Sequence, residues 1–425
     1  MDPRLQRELI NVYQTNWAMP GWVNRMVLSW RKRRRHVPIL FQLHRECPWE
    51  EGRAFAQALG RFGCENACLL ELVGSVAATV PIGSLPQLLG DERIGRAVYD
   101  REMYALMDVA APTVRAPAAW QSGLTGKGVT VAVIDTGIHP HKDFTEPVNR
   151  IVAFRDFVGG RRAPYDDNGH GTHVAGIVGG NGYGSRGRYK GIAPEVNLVG
   201  VKVLDANGMG KLSTVIRGIQ WCVEQKDALG IRIINLSLGG PAVESYRDDR
   251  VARAVERAWE SGLVVCAAAG NEGPKPKTIG SPGIHPRIIT VGAADDRNTP
   301  SRRGDRVASF SSRGPTIDGL PKPDLLAPGV NITAPSRSRF RLPFRNRPEF
   351  ADYVTMSGTS AATPVCSGIV ALMLQQDGSL TPDAVKERLL RTATTLGYDA
   401  NTEGKGLVDA AGAMGAGRSA RRVTW

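Results

Sequence analysis

Five short runs in this chain are apolar at nearly every position: Val129 to Ile134, Asn197 to Val203, Ile231 to Leu236, Leu263 to Ala268 and Ile288 to Ala293. A strand with one wet face alternates apolar and polar residues, so runs of this kind need cover on both faces. The stretches between them, His170 to Gly179, Leu212 to Leu229 and Asp248 to Ser261, carry helical patterns. Strands alternating with helices predict an α/β fold, a mainly parallel sheet between helical layers. Sites in such sheets lie at the carboxyl ends of the strands. At 425 residues the chain has the length for two or three domains, each with a core able to fold unaided.

The stretch before this pattern reads differently. Residues 1–36 are polar, bear Trp and Arg, and end in the basic run Arg31 to Arg35, as an extension would. Then follow a strand (Val37 to Leu43), a helix (Trp49 to Leu59), strands at Leu69 to Val73 and Ser75 to Val80, a helix (Ile82 to Leu89) and a last strand (Ile94 to Tyr99). The order β-α-β-β-α-β predicts a small α+β, ferredoxin-like domain over 37–108, an arrangement that carries no function by itself. Ala110 to Gly128, rich in Ala, Pro and Gly, reads as a linker into a third region, 109–425, with a basic tail at Arg418, Arg421 and Arg422.

Lysine and arginine outnumber the acids 54 to 41, a net charge of +13. The basic clusters read as solvated tails, and a nucleic-acid partner is not expected. The first residues lack the apolar core of a signal peptide, and no apolar run is long enough to span a membrane. The expectation is a cytoplasmic protein without a membrane partner, with non-conventional release left open. All six cysteines are expected as thiols. Cys222, Cys266 and Cys366 lie in apolar segments, while Cys64 and Cys68 lack the second pair that a metal site needs.

Four stretches carry chemistry-bearing side chains. Thr355 to Pro364 is a run of small residues that leads into Val365 to Leu374, apolar on every face as in a buried helix. Ser360 then stands at a helix N-terminus, where free N–H groups favour developing negative charge. The same letters also describe an ordinary cap. Pro364 is expected close enough to the start to be harmless. Asp135 ends the first apolar strand, as a catalytic carboxylate or as a turn cap. Asp166 to Gly176 opens a helix with His170 and His173 three apart. It lacks the Glu of a His-Glu-x-x-His metal site, and His173 reads as structural. Asn271 follows Ala268-Ala269-Gly270, suited to an oxyanion or to a turn. Gly182 to Gly187 matches the dinucleotide fingerprint by letter, but it follows a helix and opens none, so it reads as a surface loop.

Together these stretches place Asp135, His170, Asn271 and Ser360 in the chain order of the subtilisin family of serine proteases, which the sequence resembles from about Pro112 to Leu390. The matches are Val133 to Gly137, Gly169 to Gly176, Ala269 to Asn271 and Ser357 to Ser360, with Lys202 to Gly210, Asn235 to Gly240 and Lys322 to Gly329. The resemblance implies a serine endopeptidase acting through an acyl-enzyme. Ser360 is the nucleophile, His170 the base and Asp135 its orienter, while the Asn271 amide and the Ser360 N–H form an oxyanion hole. It further implies that Gly208-Met209-Gly210 and Ser237-Leu238-Gly239 flank an extended polypeptide substrate. Ala268, Ala269 and Gly270 leave room for a large apolar residue before the scissile bond.

The small domain matches the family's propeptide, an inhibitor and folding aid that is its own partner domain, with self-cleavage expected between Tyr99 and Ala111. No cofactor is required for the chemistry. Asp143 matches a family calcium ligand without evident partners, so structural calcium stays open and no metal ligands are assigned. Ala361 departs from the Met common after the nucleophile, and Gly180 to Lys190 departs from the calcium loop of secreted relatives. The missing signal peptide, the expected thiols and Ser309 to Pro315 make the chain resemble the intracellular branch of bacterial subtilases. The rival reading is a catalytically silent binding module on the same fold.

Overall fold

The structure, a computed structural model, describes residues 28, 35–44, 47–70, 74–99, 107–337 and 352–415. The basic run at Arg31 to Arg34, the tail arginines, Glu71 to Val73 and 100–106 of the expected cleavage stretch lie outside the described residues. The chain divides into two compact units, Met1–Tyr104 and Ala105–Trp425.

The first unit contains β1 (His36–Leu43), α1 (Trp49–Ala58), β2 (Glu65–Leu70), β3 (Ser75–Pro81), α2 (Leu85–Leu88) and β4 (Ile94–Tyr99). Its strands form an antiparallel sheet in the order β2-β3-β1-β4. Burial alternates along β1, with Val37, Ile39, Phe41 and Leu43 packed inward on a core that includes Phe55, Leu59 and Leu85. The expected order of elements is present, with two shifts. The second strand starts earlier, at Glu65. The second helix is a single turn, because Ser84 N–H bonds Pro81 O in a turn that uses up Ile82 to Ser84.

The second unit opens with α3 (Met107–Thr113) and α4 (Ala116–Gln121). The expected linker is therefore helical at its start. Ala110, Ala111, Val114, Ala116 and Ala119 are buried, and their small side chains let both helices pack closely. Then come β5 (Thr130–Asp135), α5 (Lys142–Thr145), β6 (Ile151–Asp156), α6 (His170–Gly179), β7 (Asn197–Lys202), α7 (Leu212–Leu229), β8 (Ile231–Leu236), α8 (Arg250–Glu260), β9 (Val264–Ala268) and β10 (Ile289–Asp295). After these follow β11 (Arg306–Val307), β12 (Leu325–Pro328), β13 (Ile332–Pro335), β14 (Tyr353–Met356), α9 (Thr359–Gln376), α10 (Pro382–Thr392), α11 (Ala400–Glu403) and α12 (Ala410–Ala413).

The main sheet runs β11-β10-β9-β8-β5-β7-β6, with β12 also on β10, and every pairing is parallel except that of β11. All five apolar runs are strands in it, and β5 and β9 are buried at every position. The core between sheet and helices joins residues such as Val133, Ile234, Val265, Val291, Ile369 and Leu372. Cys222, Cys266 and Cys366 are free thiols in this core, while Cys64 and Cys68 are free and more exposed. Among the described residues no helix is long and apolar enough to cross a membrane.

Candidate active site

Asp135 is the last residue of β5 and is fully buried. Its Oδ1 accepts the Thr136 N–H at 2.7 Å and faces His170 Nδ1 at 2.7 Å. His170 is the first residue of α6 and keeps 28% of its side chain exposed. The Asp135 charge raises the pKa of His170 above its ordinary value, against the opposing effect of burial. With Nδ1 donating to Asp135, Nε2 is left as the basic nitrogen.

Asp166 holds the two parts together. Its Oδ1 accepts from Thr136 Oγ1, Asn168 N and Gly169 N, while Oδ2 accepts from Thr172 N and Thr172 Oγ1. One carboxylate thus satisfies the first turn of α6 and ties it to the end of β5. The sequence marked Asp166 only as an acid near two histidines. Its spacing of six from Thr172 and its place just before a glycine cap were the available signals. Gly169 takes a φ of +110° at the cap. A Cβ on Gly171 would lie 2.2 Å from Gly137 O and 3.1 Å from Asp135 Cβ, so α6 reaches the strand end only because that side chain is missing. Lys202, at the end of β7, is buried and donates to Thr136 O, Leu204 O and Asp167 Oδ1, each at 2.7 Å.

His173 is separate from this chemistry. It is buried, its ring nitrogen Nε2 lies 2.9 Å from Ile332 O, and burial pushes its pKa down to about 4. Among the described residues no group of three or more His, Cys, Asp or Glu is arranged to hold a metal.

Ser360 is the second residue of α9, and Gly358 precedes the helix with extended backbone. A Cβ built on Gly358 would lie 3.0 Å from Ser360 Oγ and 3.5 Å from Asn271 Nδ2, so hydroxyl and amide flank the same α-carbon. Asn271 Oδ1 accepts from Thr359 N and Thr359 Oγ1. That fixes the amide's orientation and leaves Nδ2 as a free donor on the Ser360 side. Pro364 lies deeper in α9 than the first turn, so the expectation of a harmless position is corrected. Its missing N–H would have bonded Ser360 O. Ser237 Oγ donates to that carbonyl at 2.9 Å instead, and it accepts in turn from Asn235 Nδ2 at 2.9 Å. Asn235 Oδ1 accepts from Ser367 Oγ on α9, which closes the network. No hydrogen bond joins Ser360 Oγ to His170 in this structure.

Ser360 and Asn271 border a cavity of about 500 Å³ whose lining includes Ser237, Leu238, Gly239, Ala268 and Gly270. Ala269 lies behind this wall, fully buried among Ile279 and Ile284, with its N–H on Val291 O. Gly208-Met209-Gly210 form a tight turn closed by Asp205, with Met209 largely exposed, and adopt no strand. The Ca²⁺ ion, where proteins bind it, takes six to eight oxygens. Asp143 Oδ1 is met by donors, the Gly184 N–H and the Tyr353 hydroxyl, with the His141 ring 3.6 Å away, while Oδ2 is buried without a hydrogen-bond partner. Among the described residues no further His, Cys, Asp or Glu joins it in a group of three or more that could hold a metal, so no calcium ligands are assigned.

A strand-end carboxylate bonded to a histidine and a helix-start serine near an amide, on a mainly parallel sheet, are the parts that an α/β hydrolase of the serine type would use. Residues 126–410 match the model of the subtilase family. Serine protease AprX of Bacillus subtilis (strain 168) is 47% identical over 383 residues, covering 87% of this chain and 83% of that protein. Subtilisin DY of Bacillus licheniformis is 36% identical over 70% of this chain and 95% of its own length. The crystal structure of a cold adapted subtilisin-like serine proteinase superposes with a TM-score of 0.51 at 33% identity, over 67% of this chain and 88% of that one. The chain belongs to the subtilase family and is a subtilisin-like serine endopeptidase.

Proposed function

We propose that this endopeptidase works through Ser360, His170 and Asp135. The observation that carries this reading is the 2.7 Å contact of His170 Nδ1 with Asp135, which commits that nitrogen and leaves Nε2 to act as base. Nε2 takes the Ser360 proton as Oγ attacks the scissile carbonyl, then returns it to the leaving amine. Asn271 Nδ2 and the Ser360 N–H stabilise the oxyanion, and water releases the acyl group by the reverse path. No cofactor enters these steps. The substrate lies extended between the 208–210 and 237–239 segments, with a large apolar side chain before the scissile bond facing Ala268 and Gly270. Support for that preference is the cavity volume and the small wall residues. Equal cleavage of acidic and aromatic peptides at that position would contradict it.

The first unit acts as propeptide, removed by self-cleavage between Tyr99 and Ala111, and the protein works in the cytoplasm. The strand order β2-β3-β1-β4 and the division of the chain at Tyr104 support the domain reading. Casein hydrolysis by the protein and its Ser360→Ala variant, with both chain lengths read by mass spectrometry, tests the whole scheme. The parent alone should hydrolyse casein and lose about a hundred residues. An equally active variant would remove Ser360 from the mechanism, and an inactive but folded parent would favour a binding module.

A further inference from the structure

Around the turn that follows β6, over 157–165, and on the face of α7 packed against it, arginines gather without acids to answer them. The guanidinium carbons of Arg155 and Arg217 lie 5.2 and 4.9 Å from the ring centroid of Phe157, and that of Arg161 lies 4.6 Å from the centroid of Tyr165. Arg162 follows directly in the chain, and all four residues are exposed. Among the described residues none of these side chains makes a hydrogen bond or an ion pair. Arg257, Arg287 and Arg306 differ, since they meet Glu260, Glu260 and Asp295.

The local sequence explains the lack of partners. One turn to either side of Arg217 stand Ser213, Thr214, Gln220 and Trp221, so no acid occupies helical spacing. Asp156, next to Arg155, is buried and committed to the turn. Its Oδ1 accepts from Val158 N and Gly159 N, and its Oδ2 from Arg161 N and the Tyr165 hydroxyl. Asp167 pairs with Lys202. A cation over a ring is held by its charge and spends no N–H, so the five donors of each guanidinium stay free for an outside partner. Holding the side chains beforehand also lowers the entropy cost of binding. Such a cluster fits carboxylates, which arginine grips bidentately.

The turn is tied to the segments assigned to the substrate. Tyr165 leads into Asp166, which fixes the start of α6. Asn168 Nδ2 donates to Ala206 O at 3.0 Å, in the turn that carries Gly208-Met209-Gly210. From Leu212, where α7 begins, Arg217 is about 8 Å along the helix axis. An extended chain beside 208–210 advances about 3.3 Å per residue, so a few further residues reach the arginines.

We propose that Arg155, Arg161, Arg162 and Arg217 form a docking surface for acidic segments of polypeptide substrates, outside the cavity that takes the residue before the scissile bond. The surface serves the substrate path proposed above and rests on it. It acts on KM, because it adds affinity without touching the reacting atoms. A nucleic acid fits less well, since its backbone is tracked by a longer basic groove lined with bases' stacking partners.

The test uses peptides with one shared cleavage sequence, extended at the amino or the carboxyl end by a run of Glu, Gln or Lys. At low salt the Glu peptides of one set should show kcat/KM about three- to tenfold above the Gln peptides, through KM, with the Lys peptides lowest. High salt should bring the ratio toward one. So should the variants Arg155→Gln/Arg217→Gln and Arg161→Gln/Arg162→Gln, each melting within about a degree or two of the parent. Binding of the labelled Glu peptide to protein treated with phenylmethylsulfonyl fluoride, read by anisotropy, needs no turnover. A failed triad therefore leaves this measurement standing, and both variants should weaken Kd by about the same three- to tenfold. Equal rates and equal binding for Glu and Gln peptides overturn the surface. So does a Glu advantage that both variants keep, or a single-stranded DNA of matched charge that binds more tightly than the Glu peptide.

Discussion

His170 and His173 stand one turn apart on α6, and their surroundings drive the same side chain in opposite directions. At the first turn, the charge of a buried carboxylate bonded to Nδ1 outweighs the effect of burial on a partly exposed ring, so the pKa rises. One turn inward, the ring is fully enclosed against Ile332 O and its pKa falls to about 4. Residue type therefore says little about role. What decides it is whether the group can still exchange a proton with something outside the fold.

The sharpest way to break this contrast is to remove each ring. His170→Ala should lower kcat about a million-fold, the scale for losing a triad base, and leave the Tm within a degree or two. A loss below a hundredfold in steady-state assays would put the base elsewhere. Asp135→Asn keeps the shape and removes the charge, and should cost on the order of ten-thousand-fold in kcat. Asn271→Ala leaves both histidines untouched and should cost about a hundred- to a thousandfold, mostly in kcat rather than KM. His173→Gln should change kcat only a few-fold while costing about 1–3 kcal/mol in denaturant unfolding.

The smallest expected effects lie in the pH profiles, where the signs oppose. The His170 base must be neutral, so kcat/KM should rise with pH through a midpoint above 6.5, and Asp135→Asn should move that midpoint down. His170 stabilises the fold below pH 6.5, and this contribution is lost as pH rises through its raised folded value. His173 does the reverse. Its contribution is complete above pH 6.5 and is lost as pH falls from there through about 4, a span worth about 3 kcal/mol. A His173→Gln protein whose acid unfolding midpoint matched the parent's would contradict that assignment.

Much of this contrast was legible in the residues. The continuous apolar runs foretold the parallel strands within one or two residues, because a two-sided sheet leaves little choice of residue. Asp135 and Ser360 could be placed at element ends for the same reason. What stayed hidden depends on contacts distant in sequence. β6 carries the polar, partly exposed residues of an edge strand, and β13 and β14 are four residues each, too short to show a period. The helices of the supposed linker were masked by Ala and Pro, which describe a loop and a tightly packed helix equally well. No pattern could reveal that Ser237 completes the carbonyl freed by Pro364, 123 residues from its partner Ser360.

Gly171 contributes no atom to the catalytic contacts, yet its empty side sets their scale. With Gly137 O 2.2 Å from where a methyl would be, the helix start and the strand end touch backbone to backbone. The distance from His170 to Asp135 is thus gauged by a shim of zero thickness. Adding one carbon would pry the helix outward by about the length of a bond and part His170 from Asp135, and so break the proposed relay, while every functional group remained present. An engineer seeking a faster or hardier variant has freedom along the outer face of α6 and almost none at this one bare position.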